Sequence, residues 1–311
     1  MLNLNKPKFW DKKKISILAI ILFPLSLITI LVICLKKLFS EIRVFKIPII
    51  CIGNVYIGGT GKTPAAILIA KELFNLGIKT SILRKYYRNH YDEYNQIKFH
   101  FRHLIVNKDR VKGIQEAEVK NYDAVILDDG LQDYRIRKNF SIICFNQKQL
   151  IGNGLILPSG PLRENLSAIK NADMILINGN RDLNFEKKIL KIKKNLDIYY
   201  SYYKPINIHE FKNKKLLAFA GIANPENFFQ LLEKNNLIIK EKLIFPDHHI
   251  FTKKEIQNII EFADMNNLKI IMTEKDFFKV NKFKFKQLNY LRISLQIDRK
   301  KEFFNKLKKA I

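Results

Sequence analysis

The stretch Gly58-Gly59-Thr60-Gly61-Lys62-Thr63 carries the plainest chemistry in the chain. It follows the apolar run Ile49-Ile50-Cys51-Ile52 and precedes residues 64–76, whose apolar positions recur at helical spacing. A glycine-rich turn from strand to helix lets backbone N–H groups point at phosphate, and the helix N-terminus adds its partial positive charge. In such a loop Lys62 reaches the β- and γ-phosphates of ATP and the Thr63 hydroxyl binds Mg²⁺, while Gly58, Gly59, Thr60 and Gly61 complete the nucleotide-binding set. The strict motif asks for glycine where this chain has Tyr56, so Gly58 and Gly59 are expected to make the turn. A second piece, Ala124-Val125-Ile126-Leu127-Asp128-Asp129-Gly130, delivers two adjacent acids at the end of an apolar run. Ligands of open α/β sheets gather at the carboxyl ends of strands, so Asp128 and Asp129 are expected at the Mg²⁺ beside the loop.

Such residues need a sheet to position them. Short apolar runs at 49–52, 80–83, 124–127, 141–145 and 174–177 read as strands alternating with helical stretches. That alternation predicts an α/β fold of the phosphate-loop type, a mainly parallel sheet flanked by helices. Between 179 and 215 the pattern dissolves into Lys- and Asn-rich sequence with a Tyr-rich patch at 199–203, and a second strand-and-helix series starts at 216–220. A phosphate-loop domain is therefore expected over 43–205, with a smaller C-terminal α/β domain over 206–311 completing the cleft. Residues 15–35 hold no charge and are flanked by Lys12, Lys13, Lys14, Lys36 and Lys37. Such a segment is long enough to cross a hydrocarbon core of about 30 Å. No small-x-small cleavage pattern follows Leu35, so residues 1–42 read as a retained membrane anchor with its flanks. Pro24 leaves open whether the anchor spans the bilayer or lies in its interface.

Composition narrows the partners. Among 311 residues, 55 Lys+Arg stand against 29 Asp+Glu, a net charge of +26, and 47% are hydrophobic, which excludes a disordered basic tail. A nucleic-acid binder of that charge would show a reader motif or a stacking platform; neither is present, so no nucleic-acid partner is expected. The charge suits an anionic membrane surface instead. Cys34, Cys51 and Cys144 are odd in number and widely spaced, which speaks against a disulfide framework. A membrane-associated ATPase switch of the partitioning or targeting class would carry a second lysine early in the loop, where this chain has Val55, Tyr56 and Ile57.

Five segments in order resemble one family. They are Gly53-Asn54 leading into Gly58–Pro64 of the loop, Leu127-Asp128-Asp129-Gly130-Leu131-Gln132, Leu157-Pro158-Ser159-Gly160-Pro161-Leu162-Arg163-Glu164, Phe245-Pro246-Asp247-His248, and Met272-Thr273-Glu274-Lys275-Asp276. Together they resemble the tetraacyldisaccharide 4′-kinases, membrane-associated lipid A kinases of Gram-negative bacteria. The resemblance implies transfer of the ATP γ-phosphoryl group, with Mg²⁺, to the 4′-hydroxyl of an acylated glucosamine disaccharide 1-phosphate at the cytoplasmic face of the inner membrane. It implies that Asp92 is the base and His248 its partner, brought together by domain closure. It also implies that Asp129 joins Lys62 among the catalytic residues, and that Arg110, Arg163 and Gln132 hold phosphate or substrate. The chain departs from the family where Leu83-Arg84-Lys85-Tyr86 replaces Ser-Arg-Gly-Tyr, where Tyr91 replaces a glycine, and where Asp133 replaces a histidine.

Overall fold

Hydrophobic runs decide the first sheet. In the computed structural model, which describes residues 6–311 except Lys13, Asn89, Ala223, His248 and Ala310, and Asp92 by its backbone alone, Ile49–Gly53 forms β1. It pairs in parallel with β4 (Ala124–Asp128) on one side and β5 (Phe140–Asn146) on the other. Every residue of these three strands is buried, which is why they read as unbroken apolar runs instead of alternating ones. Parallel pairing continues outward from β4 through β2 (Thr80–Lys85) to β3 (Leu104–Asn107), and from β5 through β6 (Met174–Asn178) to β7 (Asp197–Pro205). With β12 (Ile293–Ile297) the order is β12-β7-β6-β5-β1-β4-β2-β3. The strand before the phosphate loop is thus central, with the acidic strand beside it.

Helices cover this sheet through residues at helical spacing. α2 (Lys62–Asn75) buries Ala65, Ala66, Ile69, Ala70 and Leu73, and α4 (Arg110–Val119) buries Val111, Ile114 and Ala117. Each fully buried Ile or Leu contributes about 1.5–3 kcal/mol. The stretch 179–215, where sequence periodicity fades, holds α5 (Leu183–Ile192) as well as β7. Phe185 and Ile189 are the buried residues of α5, so its lysines take the outer positions; Tyr199 and Tyr200 are buried in β7. α9 (Lys300–Lys308) repeats the pattern, burying Phe303, Phe304 and Leu307 beneath its lysines.

Contacts divide the chain into two units, one of residues 6–86, 101–202 and 295–311, the other of residues 87–100 and 203–294. The second unit has its own parallel sheet, ordered β11-β10-β8-β9, from β8 (Lys215–Ala220), β9 (Ile238–Ile244), β10 (Lys269–Thr273) and β11 (Tyr290–Leu291). α6 (Pro225–Lys234) and α7 (Lys253–Met265) pack on it through Phe229, Leu232, Ile256 and Ile260, and the short α8 (Glu274–Val280) follows β10. α3 (Tyr91–His100), which lies in sequence within 43–205, counts its contacts with this second unit. Asn121, Asn236 and Asn267 take left-handed φ of 51°, 57° and 52° just past α4, α6 and α7. Asparagine does here what glycine usually does at a helix end, in keeping with the chain's heavy use of it.

The uncharged N-terminal run is one helix, α1 (Ile17–Leu38), long and apolar enough by length and composition to cross a membrane. Ser16 caps it, its side chain accepting from the Ala19 N–H. One stripe touches the first unit: Ala19 and Ser26 are buried, and Ile30 packs against the core near Ile156, Leu162 and Ile169. Ile17, Ile21, Leu27, Ile28, Leu31 and Leu38 are exposed.

Candidate active site

The loop after β1 is shaped by glycines and walled by side-chain amides. Gly58, Gly59 and Gly61 have φ of 74°, 67° and 85°, a region that other residues enter only at a cost. Asn54 Nδ2 donates to Thr60 Oγ1 at 3.0 Å, and Asn146 Nδ2 to the Gly59 carbonyl at 3.1 Å. The 157–164 segment lies alongside: Ile57 N donates to Pro161 O at 3.0 Å, and Arg163 N to Val55 O at 2.7 Å. Tyr56, where the strict motif has glycine, is fully buried and donates its hydroxyl to Asp11 at 2.6 Å. It is a packing residue, and the turn falls to Gly58 and Gly59 as the sequence reading expects.

Lys62 opens α2 and points to the end of β4. Its Nζ lies 3.7 Å from Asp129 Oδ1, and its side chain is only 12% exposed. Burial pulls the ammonium below the usual lysine range, with Asp129 opposing that shift. Arg163 grips the same carboxylate with two bonds of 3.0 and 2.6 Å and also donates to Gln132 Oε1. Arg110 donates to the Asp129 backbone carbonyl at 2.6 Å and pairs with Asp133 at 3.6 Å. Lys62, Asp129, Arg163, Gln132 and Arg110, all singled out from sequence, therefore meet in one cluster, and Asp133 meets Arg110 at its edge.

For Asp129, burial alone would raise the pKa, but Lys62 and Arg163 outweigh it and hold the carboxyl below its usual range. A depressed carboxylate stabilises the fold above the unfolded value of 3.8 and loses that contribution as pH falls through the folded one. Asp129→Asn is accordingly expected to be less stable than the native chain at pH 7, with the gap shrinking toward pH 3. Urea unfolding at the two pH values checks this, and a gap that does not shrink would contradict it.

Asp128 faces other partners. It is wholly buried, accepts from the Thr63 hydroxyl at 2.9 Å, and takes an Arg84 guanidinium N–H on the same oxygen, Oδ2. Arg84 also donates to Thr63 at 3.1 Å. Among the described residues Oδ1 of Asp128 has no hydrogen-bond partner. A buried carboxylate oxygen left over beside a hydroxyl suits a hard cation, which binds oxygen ligands and takes the rest of its shell from phosphate and water. The described residues hold no cluster of three metal-ligating side chains, as a site completed by phosphates does not require one.

Asp92 and His248, the expected base and its partner, fall by number within the 87–100 and 203–294 spans of the second unit. Asp92 stands in the first turn of α3, with its side chain outside the described residues, and His248 lies outside them altogether. Their neighbours are described. Glu93 forms an ion pair with Lys275 at 3.7 Å and sits 2.9 Å from His90 Nδ1, while Asp247 accepts from Lys275 at 3.2 Å.

The partners of two site residues, Arg84 and Glu164, escape sequence reading. Arg84, the residue before the end of β2, stands in register with Asp128, a pairing visible only once the strand order is known. Glu164 is 2% exposed and accepts from Gln132, Tyr134 and Lys37 at 2.9, 3.1 and 3.1 Å, tying the end of α1 to the segment that presents Arg163. Its motif marks it, but its partners are far apart in sequence.

Known proteins share both the sequence and the fold. The family model described as tetraacyldisaccharide-1-P 4′-kinase matches residues 18–100 and 92–311. The tetraacyldisaccharide 4′-kinase of Pelagibacter ubique (strain HTCC1062) is 39% identical over 309 residues, 98% of this chain and 98% of that protein. That of Francisella tularensis subsp. novicida (strain U112) is 31% identical, covering 94% of this chain and 99% of its own. Among solved structures, LpxK from Aquifex aeolicus in complex with ATP matches with a TM-score of 0.73 at 22% identity, over 94% of this chain and 99% of that one.

Proposed function

The chain belongs to the tetraacyldisaccharide-1-P 4′-kinase family, and from that premise we propose that it transfers the γ-phosphoryl group of ATP to the 4′-hydroxyl of an acylated glucosamine disaccharide 1-phosphate in lipid A biosynthesis. The observation that carries this reading is the junction of β1, α2 and β4, where Lys62 meets Asp129 and Thr63 meets Asp128. A phosphate loop beside an acidic strand end is built for a nucleoside triphosphate with Mg²⁺.

The roles divide by geometry. Thr63 and Asp128 would hold Mg²⁺, which supplies positive charge to the β- and γ-phosphates when bound. Asp129, gripped by Arg163 and facing Lys62, positions those two cations. Lys62 and Arg163 stabilise charge on the phosphoryl oxygens in transit, and Arg110 and Gln132 brace them. The acceptor oxygen bonds to the γ-phosphorus as the bond to the β–γ bridging oxygen breaks and ADP leaves. Asp92 takes the hydroxyl proton, with His248 as its partner.

The anchor fits an amphiphilic acceptor. Ser26 Oγ lies 2.9 Å from Ile156 O, 2.8 Å from Ser159 Oγ and 3.1 Å from Ser159 N, and Lys37 reaches Glu164. A helix bonded at its middle and at its end to the nucleotide domain favours lying in the interface over crossing the bilayer, with its free apolar face in the lipid and its lysine flanks toward anionic headgroups. The inner membrane, entered from the cytoplasmic side where ATP is supplied, is the surface proposed. Leu27→Glu with Leu31→Glu is expected to abolish co-sedimentation with phosphatidylglycerol-containing vesicles while leaving Mg-ATP binding intact; vesicle binding equal to the native chain's would reject this face.

The activity itself is tested by phosphoryl transfer from labelled ATP to tetraacyldisaccharide 1-phosphate in mixed micelles with Mg²⁺. A bis-phosphorylated lipid is expected. Normal Mg-ATP binding with no lipid product would overturn the acceptor and leave the nucleotide site standing.

A further inference from the structure

The segment Met272-Thr273-Glu274-Lys275-Asp276 takes no part in the steps above, yet its side chains are unusually well engaged within the second unit. Asp276 is wholly buried and accepts from Gly221 N at 2.9 Å, Thr273 Oγ1 at 2.6 Å and Lys279 Nζ at 2.8 Å. The Thr273 hydroxyl in turn accepts from Asp276 N at 3.1 Å, capping α8. These bonds fix the start of α8 to the end of β8. Gly221 lies so close that a Cβ there would come within 3.0 Å of Asp276 Oδ1. Glu274, also buried, has its Oε2 2.7 Å from His100 Nε2 and 3.5 Å from Gln96 Nε2, and Phe99 meets Phe278 edge to face at 5.4 Å. The C-terminal half of α3 is thereby held on α8.

Among the described residues, Lys275 projects from that fixed start between two carboxylates. Its Nζ is 3.7 Å from Glu93 Oε1 and 3.2 Å from Asp247 Oδ1, and its side chain is 18% exposed. Glu93 and Asp247 are the chain neighbours of Asp92 and His248. We propose that Lys275 is a positioning residue for phosphoryl transfer: its ammonium clamps the α3 segment that carries the base to the 245–249 segment that carries its histidine. The clamp rests on the assignment of Asp92 and His248 made above. A freely exposed ion pair would do little, because solvent screens it and holding two long side chains costs entropy. A mostly shielded lysine on a rigid helix start, shared by two carboxylates, loses less of either. A misplacement of about 1 Å in a proton acceptor can lower a rate about a hundredfold, so a clamp of this kind acts on turnover without touching substrate.

The test is steady-state kinetics of the full chain with Mg-ATP and tetraacyldisaccharide 1-phosphate. Lys275→Met is expected to lower kcat by about tenfold to a hundredfold with KM for Mg-ATP unchanged, and Lys275→Arg, whose guanidinium can meet both acids, to recover most of that loss. Glu93→Gln added to Lys275→Met should cost little more, since the pair it removes is already broken by the loss of the ammonium. An unchanged kcat in Lys275→Met, additive losses with Glu93→Gln, or an effect confined to KM for the lipid would overturn the clamp. Should Lys275→Met fail to fold, Glu93→Gln alone decides: a lowered kcat supports the clamp and a native one rejects it. Asp92→Asn separates the two layers, because native turnover there removes the base assignment, whereas its loss beside a native Lys275→Met removes the clamp alone.

Discussion

Lys62→Ala is expected to lower kcat about a thousandfold or more while leaving the fold intact. The ammonium sits 3.7 Å from Asp129 with its side chain 12% exposed, so water enters poorly to replace it. Removing one preorganised donor from a shielded site typically costs a hundredfold to a thousandfold, and here the donor also carries a full charge, which the proposed role aims at the β- and γ-phosphates. The native scaffold should survive, because Asp129 keeps both bonds from Arg163 and is not left as an unpaired buried acid. Loss in the transition state exceeds loss in binding, so kcat falls further than KM for Mg-ATP rises. Single-turnover transfer with matched thermal melts measures this, and turnover within fivefold of native would remove Lys62 from the reaction.

The candidate nucleotide site was legible as a local pattern. Gly58–Thr63 and Asp128-Asp129 are contiguous, and their strands are buried on both faces, so apolar runs mark them clearly. Arg84 was not legible as a partner of Asp128, since the strands that align them are separated by α3, β3 and α4. The stretch 179–215 was opaque for a different reason. α5 buries only Phe185 and Ile189 among lysines, and β7 buries tyrosines, whose polar hydroxyls blur alternation. The membership of 87–100 also lay beyond sequence, because what holds α3 is a set of polar contacts to Glu274 and Lys275 nearly two hundred residues away. Tyr56 breaks the strict loop pattern yet fits, because burial and Asp11 give the ring and hydroxyl their partners.

Asp128→Asn should separate the metal's contribution from that of the loop. The amide keeps the shape and one carbonyl oxygen but removes the charge that both a divalent cation and the Arg84 guanidinium require. Two consequences of opposite origin follow. Without ligand, the variant is destabilised, since the largely buried Arg84 loses the Asp128 carboxylate beside it. With ligand, the native chain gains about 2.7 kcal/mol at Mg-ATP a hundredfold above its dissociation constant, and the variant is expected to gain little of this. Melting curves with and without Mg-ATP read both effects on one sample, and turnover should fall at least a hundredfold with a raised Mg²⁺ requirement. If the ligand-induced shift and the Mg²⁺ titration both match the native chain, Asp128 is a structural partner of Arg84 and the metal must be held elsewhere. A lost shift with an intact ligand-free fold would instead place the whole effect on the cation, and would mean that Arg84 finds its counter-charge without Asp128.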